Sequence, residues 1–467
     1  MNARTNHLKI GLCMVLVSAI APPARAQPPR PNETPPPPAP EPNWAPPLPA
    51  EAPPEETVPP QPESQTTTSS SPVEPTATPG AKRAGQPTPA ETTEAPETEI
   101  EIYGFAMTDS GVAFGDVGNP DWFDVLRPSK LPSFEDEFGE SPRTFLSARQ
   151  TRFGVKTKTP VRWGSLDTIF EWELFGVGVD AGQTTFRLRH AYGELGQLGA
   201  GQTWSPFMDI DVFPNSIEYW GPSGMVFFRN VQMRWMPIKG DSRVTVALER
   251  PGADADVGGF AETVELAGVV ERTPVPDLSA EARWGGPWGY VELAGILRYL
   301  AWGETTGPDL SDHAIGWGLN LSSNLKYRGH VLRLAAVYGE GIQSYMNDAP
   351  ADVGIEIDPT EPGGVKGVAL PILTGVAFLD LKWNDLMTSS IGWSGVWIDN
   401  SDGQLPSAYH SGHYALANLL FQPFDNLMFG PEVQYGHRSN AEDDFTADEF
   451  RVQFSARFKY SKTIGGK

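Results

Sequence analysis

Phe186-Arg187-Leu188-Arg189-His190-Ala191-Tyr192 alternates bulky residues at even positions with charged or small ones at odd positions. A period of two belongs to a β-strand, whose successive side chains leave opposite faces. The same alternation returns in 168–175, 291–302, 315–325, 331–338, 376–383, 391–398, 414–421, 428–435 and 450–460, and no long segment of helical period competes with it. Short connections (285–289, 326–329, 423–426) alternate with long acidic ones (115–143, 251–262, 340–369, 400–411, 438–448). The pattern predicts an all-β chain of about 16 strands, with short turns at one end and long loops at the other.

All of this lies beyond residue 98. Residues 27–98 hold 23 of the 46 prolines and, of all the aromatics, only Trp44, so they cannot bury a core. Their Pro35-Pro36-Pro37-Pro38 run, Ala-Pro and Glu-Pro pairs and Ser/Thr stretch favour extended polyproline II, and 27–98 reads as a disordered spacer. Residues 1–26 read as a secretory signal: Arg4 and Lys9, the apolar stretch 10–20, and the small-x-small site Ala24-Arg25-Ala26. The lone Cys13 lies inside that signal, which excludes a disulfide or zinc framework in the mature chain. Past residue 20 no apolar run reaches the roughly 20 residues of a membrane helix. Residues 99–467 carry 29 basic against 48 acidic residues, so a polyanionic partner such as nucleic acid is not expected.

An exported chain with an even number of strands, short turns on one side and long loops on the other has the pattern of a transmembrane antiparallel up-and-down β-barrel. The expected division is signal 1–26, periplasmic linker 27–98 and outer-membrane barrel 99–467, embedded in outer-membrane lipid. Trp163, Tyr219, Trp220, Trp235, Trp288, Tyr299 and Trp302 are expected to form aromatic girdles at the membrane interfaces.

Four ordered pieces, 149–154, 186–192, 200–209 and 229–234, resemble the DcaP-like family of outer-membrane porins. The resemblance implies a 16-stranded barrel, a homotrimer, and uptake of small anions such as dicarboxylates. It departs from the family at both ends. Residues 27–98 lack the heptads of a coiled coil, and 461–467 follow the aromatic Phe458 and Tyr460, near which such barrels usually stop.

If these strands are neighbours, Arg152, Arg187, Arg189, Arg229 and Arg234 form one basic wall in a pore, suited to anions through the planar fork of the guanidinium. Arg187 and Arg189 share a face, with Phe186 and Leu188 outward. Arg229 and Arg234 have opposite parity, so both point inward only with an intervening bulge. Of Arg149 and Arg152, the latter is expected inside because its neighbour Phe153 suits lipid. The segment 205–225, rich in turn residues, is expected to fold inward and to set Asp209, Asp211 and Glu218 against the wall, with Tyr219 and Trp220 as a stacking surface or a loop anchor.

No enzyme, cofactor or metal signature stands out. His410-x-x-His413 lacks a nearby acid at strand spacing, and the acidic runs at 252–256 and 442–444 suit solvated loops. The reading is a porin biased to small anions. The alternative is a structural envelope protein whose arm, 27–98, ties the barrel to the cell wall.

Overall fold

In a computed structural model, the described residues are 97–253, 269–304 and 310–466. The expected signal 1–26, the linker up to residue 96 and the loop residues Asp254 and Asp256 lie outside them.

The barrel strands are β1 (Glu99–Gly115), β2 in two pieces (Arg143–Ser147 and Arg152–Val161), β3 (Gly164–Phe175), β4 (Thr184–Leu195), β5 (Leu198–Trp204), β6 (Arg229–Ile238), β7 (Arg243–Glu249) and β8 in two pieces (Val269–Arg272 and Asp277–Gly286). They continue with β9 (Gly289–Glu304), β10 (Asp312–Tyr327), β11 (His330–Glu340), β12 (Pro371–Lys382), β13 (Met387–Ile398), β14 in two pieces (Tyr409–Asn418 and Leu420–Phe424), β15 (Leu427–Asn440) and β16 (Thr446–Ile464). Each pairs antiparallel with the next, and β16 pairs with β1 from Ile100↔Ile464 to Gly115↔Glu449. The sixteen described strands therefore form a closed up-and-down barrel, which leaves no sheet edge unpaired. Among the described residues no helix is long and apolar enough to cross a membrane.

Alternation decides what each face meets. On β4 Phe186 is 81% exposed on the outer face; on β6 Met233 and Trp235, and on β16 Phe450, Phe454 and Phe458, are likewise exposed. Sequence neighbours of these on the inner face, such as Gln232, Gln453 and Ser455, are buried. An apolar outside around a polar inside suits lipid and would be costly in water.

The inside is partly filled. The long connections 116–142, 205–228 and 341–370 lay Leu126, Phe207, Met225, Ile342 and Tyr345 against the inward side chains Val337, Phe378, Val396 and Tyr414. Burying a Phe such as Phe207 contributes about 2–3 kcal/mol, so these loops are held by an apolar core of their own.

Three expectations change. Tyr219 and Trp220 are not girdle residues: Tyr219 stacks on Phe175 at 3.9 Å, and Trp220 lies under the Arg127 guanidinium at 4.1 Å, inside the loop core. Trp302 has inward parity on β9, and its ring occupies the space a side chain at Gly367 would need, under the loop hairpin Val353–Ile357 and Val365–Ala369. The residues after Tyr460 are not an appendage, because β16 runs on to Ile464 and its ladder with β1 continues to the end.

Candidate functional site: arginines around two carboxylates

Glu171 and Glu173 both face inward on β3 and are buried. Arg189 bridges them, its Nε donating to Glu171 Oε1 at 2.6 Å and its Nη1 to Glu173 Oε2 at 2.7 Å. A bulge makes this possible. Glu171 pairs with His190 but Trp172 pairs with Leu188, so Arg189 is the extra residue on β4 and both it and His190 lie inside.

Three more arginines close on the same pair. Arg152 Nη2 lies 3.4 Å from Glu173 and its Nε 3.7 Å from Glu171, while Arg187 Nη1 and Arg229 Nη2 lie 3.7 and 3.8 Å from Glu173 Oε1. The Tyr103 hydroxyl donates to Glu171 Oε2 at 2.8 Å, and the Tyr219 hydroxyl donates to Glu173. Tyr103 reaches because its ring fills the place where Gly154, opposite on β2, has no side chain. Four guanidiniums on two carboxylates leave two positive charges uncompensated. The side chains of Arg152 and Arg187 are 24% and 29% exposed, so part of that charge meets water.

Arg234 stands apart on β6. Its Nε donates to the Tyr192 hydroxyl at 2.7 Å, and its Nη2 is 3.9 Å from Glu194, which also holds Lys239 at 2.6 Å. A cavity of about 440 Å³ opens here, lined by Lys156, Lys158, Tyr192, Glu194 and Arg234. Arg229 and Arg234 are both inside without a bulge between them, since the β5–β6 ladder is continuous from Leu198↔Trp235 to Trp204↔Arg229. Arg229 is the first residue of its strand and lies over the Trp204 ring at 4.8 Å, where the strand end no longer has to obey the alternation. Arg149 is also inside. It sits in the break between the two pieces of β2, is 1% exposed and holds Asp124 at 2.6 Å.

The loop acids do not meet this wall. Asp209 and Asp211 take the Arg283 guanidinium of β8 at 2.7 and 2.6 Å, and Asp209 Oδ2 accepts from the hydroxyls of Tyr290 and Ser322, both at 2.6 Å. Glu218 is enclosed in the loop core, where it accepts from the Leu126 and Gly221 amides, and burial pushes its carboxyl up to about 8. Further along the segment, Ser216 and the Ile217 amide donate to Glu432 on β15.

Arg243, Arg283, Arg298, Arg333 and Arg457 are inward residues that the sequence reading passed over. For four of them the signal was present: Trp284, Leu297, Leu332 and Phe458, beside Arg283, Arg298, Arg333 and Arg457, are exposed on the outer face, the same test that selected Arg187. Arg298 is fully buried between Asp277 and Asp352, both at 3.0 Å, and ties the 341–370 loop to the wall.

A closed ring of sixteen antiparallel strands, apolar outside and charged within, defines a porin-type β-barrel of the outer membrane. The family model described as DcaP outer membrane protein matches residues 94–326, and the chain belongs to that family. Among solved structures it is similar to the outer membrane channel DcaP of Acinetobacter baumannii, with 19% identity and a TM-score of 0.65 over 78% of this chain and 97% of that one. It is also similar to an anion-selective porin from Comamonas acidovorans, with 9% identity and a TM-score of 0.52 over 78% and 100% of the two chains. At these identities the likeness is one of fold. No curated protein matches the chain.

Proposed function

We propose that the protein is an outer-membrane channel for passive uptake of small hydrophilic solutes, biased to anions such as dicarboxylates by an arginine-lined constriction, and not an enzyme. The observation that carries the reading is the excess of guanidinium over carboxylate around Glu171 and Glu173, with Arg152 and Arg187 open to water. A guanidinium already paired at 3.4–3.8 Å is held loosely enough to exchange its partner for a passing carboxylate. The segment 205–225, tied across the lumen through Asp209 and Ser216, narrows the path on the other side. In this reading the barrel is a homotrimer, residues 1–26 are a cleaved signal, and 27–98 lies in the periplasm, on the side of the short turns.

Planar-bilayer recording in a salt gradient tests it. The expected result is a reversal potential favouring anions, with current block by succinate. A cation preference, or a barrel that conducts nothing and serves only to anchor the arm, overturns it.

A further inference from the structure

Arg457, half-buried on the inner face of β16, differs from the buried arginines. Arg149, Arg298 and Arg438 serve structure and are saturated by carboxylates or carbonyls, Arg438 binding the carbonyls of Ser129, Leu131 and Ser407 at 2.9–3.2 Å. Arg457 has no carboxylate within 4 Å among the described residues. Its Nη2 donates only to the Met428 thioether at 3.2 Å, a weak acceptor, and its Nε is buried without a partner. A buried donor left unmet is costly unless another molecule completes it.

The register shows what it faces. Phe105 on β1 pairs with Arg152 on β2, and Met107, two residues on, pairs with Arg457. Only β1 separates the two arginines, a sideways distance of about 10 Å. Both lean back over the same ring, with their Cζ atoms 5.2 and 5.7 Å from the Phe105 centroid. Arg152 also has a buried Nε without a hydrogen bond. The arginine wall thus continues across the seam where the barrel closes, and its far end is a guanidinium with no carboxylate within 4 Å among the described residues.

Resting on the anion-channel reading above, we propose that Arg457 is a specificity-determining residue of the path: it takes one carboxylate of a dianion while Arg152 takes the other, across the Phe105 ring. A monocarboxylate engages one of them at a time, so Arg457 discriminates by the number of charges more than by charge alone.

The test compares Arg457→Gln, Arg457→Met and Arg457→Lys with the parent in planar bilayers, using succinate and acetate as probes and heat-modifiable migration as the folding control. Methionine matches the surroundings made by Met107 and Met428, and so provides a second neutral variant if glutamine prevents insertion. The neutral variants are expected to weaken succinate block by about fivefold or more and to change the response to acetate by less than about twofold, with lysine in between. A folded neutral variant that blocks with succinate like the parent overturns the inference, as does an equal loss for both probes. If that occurs while Arg187→Gln still weakens block, the channel reading stands without Arg457. If the parent itself shows neither anion preference nor succinate block, the channel reading fails and this inference with it.

Discussion

Glu173 organises the wall more than any single arginine does. It is fully buried and receives Arg189, Arg152, Arg187 and Arg229 as well as the Tyr219 hydroxyl. Removing one member of a buried charge network leaves the others uncompensated, at a cost of about 3–5 kcal/mol. Glu173→Gln is therefore expected to lower the temperature at which the heat-modifiable band converts, and an unchanged midpoint would show that the cluster is hydrated and loosely coupled. Arg187 is the contrasting case, open to water and 3.7 Å from Glu173, its one carboxylate partner among the described residues. Arg187→Gln should leave that midpoint within a degree or two but cut the anion-to-cation permeability ratio by about threefold, because it removes one of two uncompensated charges where the path is lined. Replacing the exposed loop residue Asp443 by Asn should leave the ratio alone, since its charge is screened within about 8 Å at physiological salt.

Among the elements, the bulge in β4 and the inward segment 205–225 set the site. Without the extra residue, Arg189 and His190 would leave opposite faces, and the bridge to Glu171 and Glu173 would be lost. The segment itself carries a pH dependence through Glu218. Burial raises this carboxyl to about 8, against 4.5 for an ordinary glutamate, so the folded loop holds a proton that the unfolded loop has lost. The stability this contributes is fully present below pH 4.5 and is lost as pH rises from there through about 8, above which both states are ionised. Heat-modifiability of the parent should accordingly decline between about pH 5 and pH 8. Glu218→Gln, which keeps the shape and one of the two amide contacts, should flatten that decline; an equal decline in the variant would place the titration elsewhere.

For the whole molecule, the net charge opposes the proposed selectivity. Residues 99–467 carry 29 basic and 48 acidic residues, a net −19, and a wide pore lined at random would favour cations. Selection of anions requires that the arginines at the narrow point outweigh this field, so anion preference should increase with ionic strength up to the point where the close pairs are themselves screened. A preference that falls steadily from the lowest salt would argue against local control. Stability of the barrel, by contrast, should owe nothing to the arm. The ladder closes from Ile100↔Ile464 onward, and 27–98 contributes one aromatic residue. A chain lacking 27–96 is expected to insert and migrate as a heat-modifiable barrel, and its failure to do so would make the arm part of the fold.

The strand order, the even strand count and the split between outward and inward residues were legible in the chain because each strand meets lipid on one side and charge on the other, and that demand repeats every second residue. Phe186, Leu188 and Phe153 announced the outer face, and Arg187 and Arg152 the inner one. The same parity failed at Arg149, His190 and Arg229, which sit at a strand break, a bulge and a strand end, where the period is interrupted. Which carboxylate each arginine meets was beyond any local pattern. Asp209 belongs to Arg283, 74 residues away, and Tyr219 belongs to Glu173 and Phe175, because the loops return through the lumen and choose their partners by packing. A period of two therefore determined the barrel, while the balance of charge inside it was decided only when the ring closed and the loops folded into it, since electrostatic pairing depends on distance in space and not on spacing along the chain.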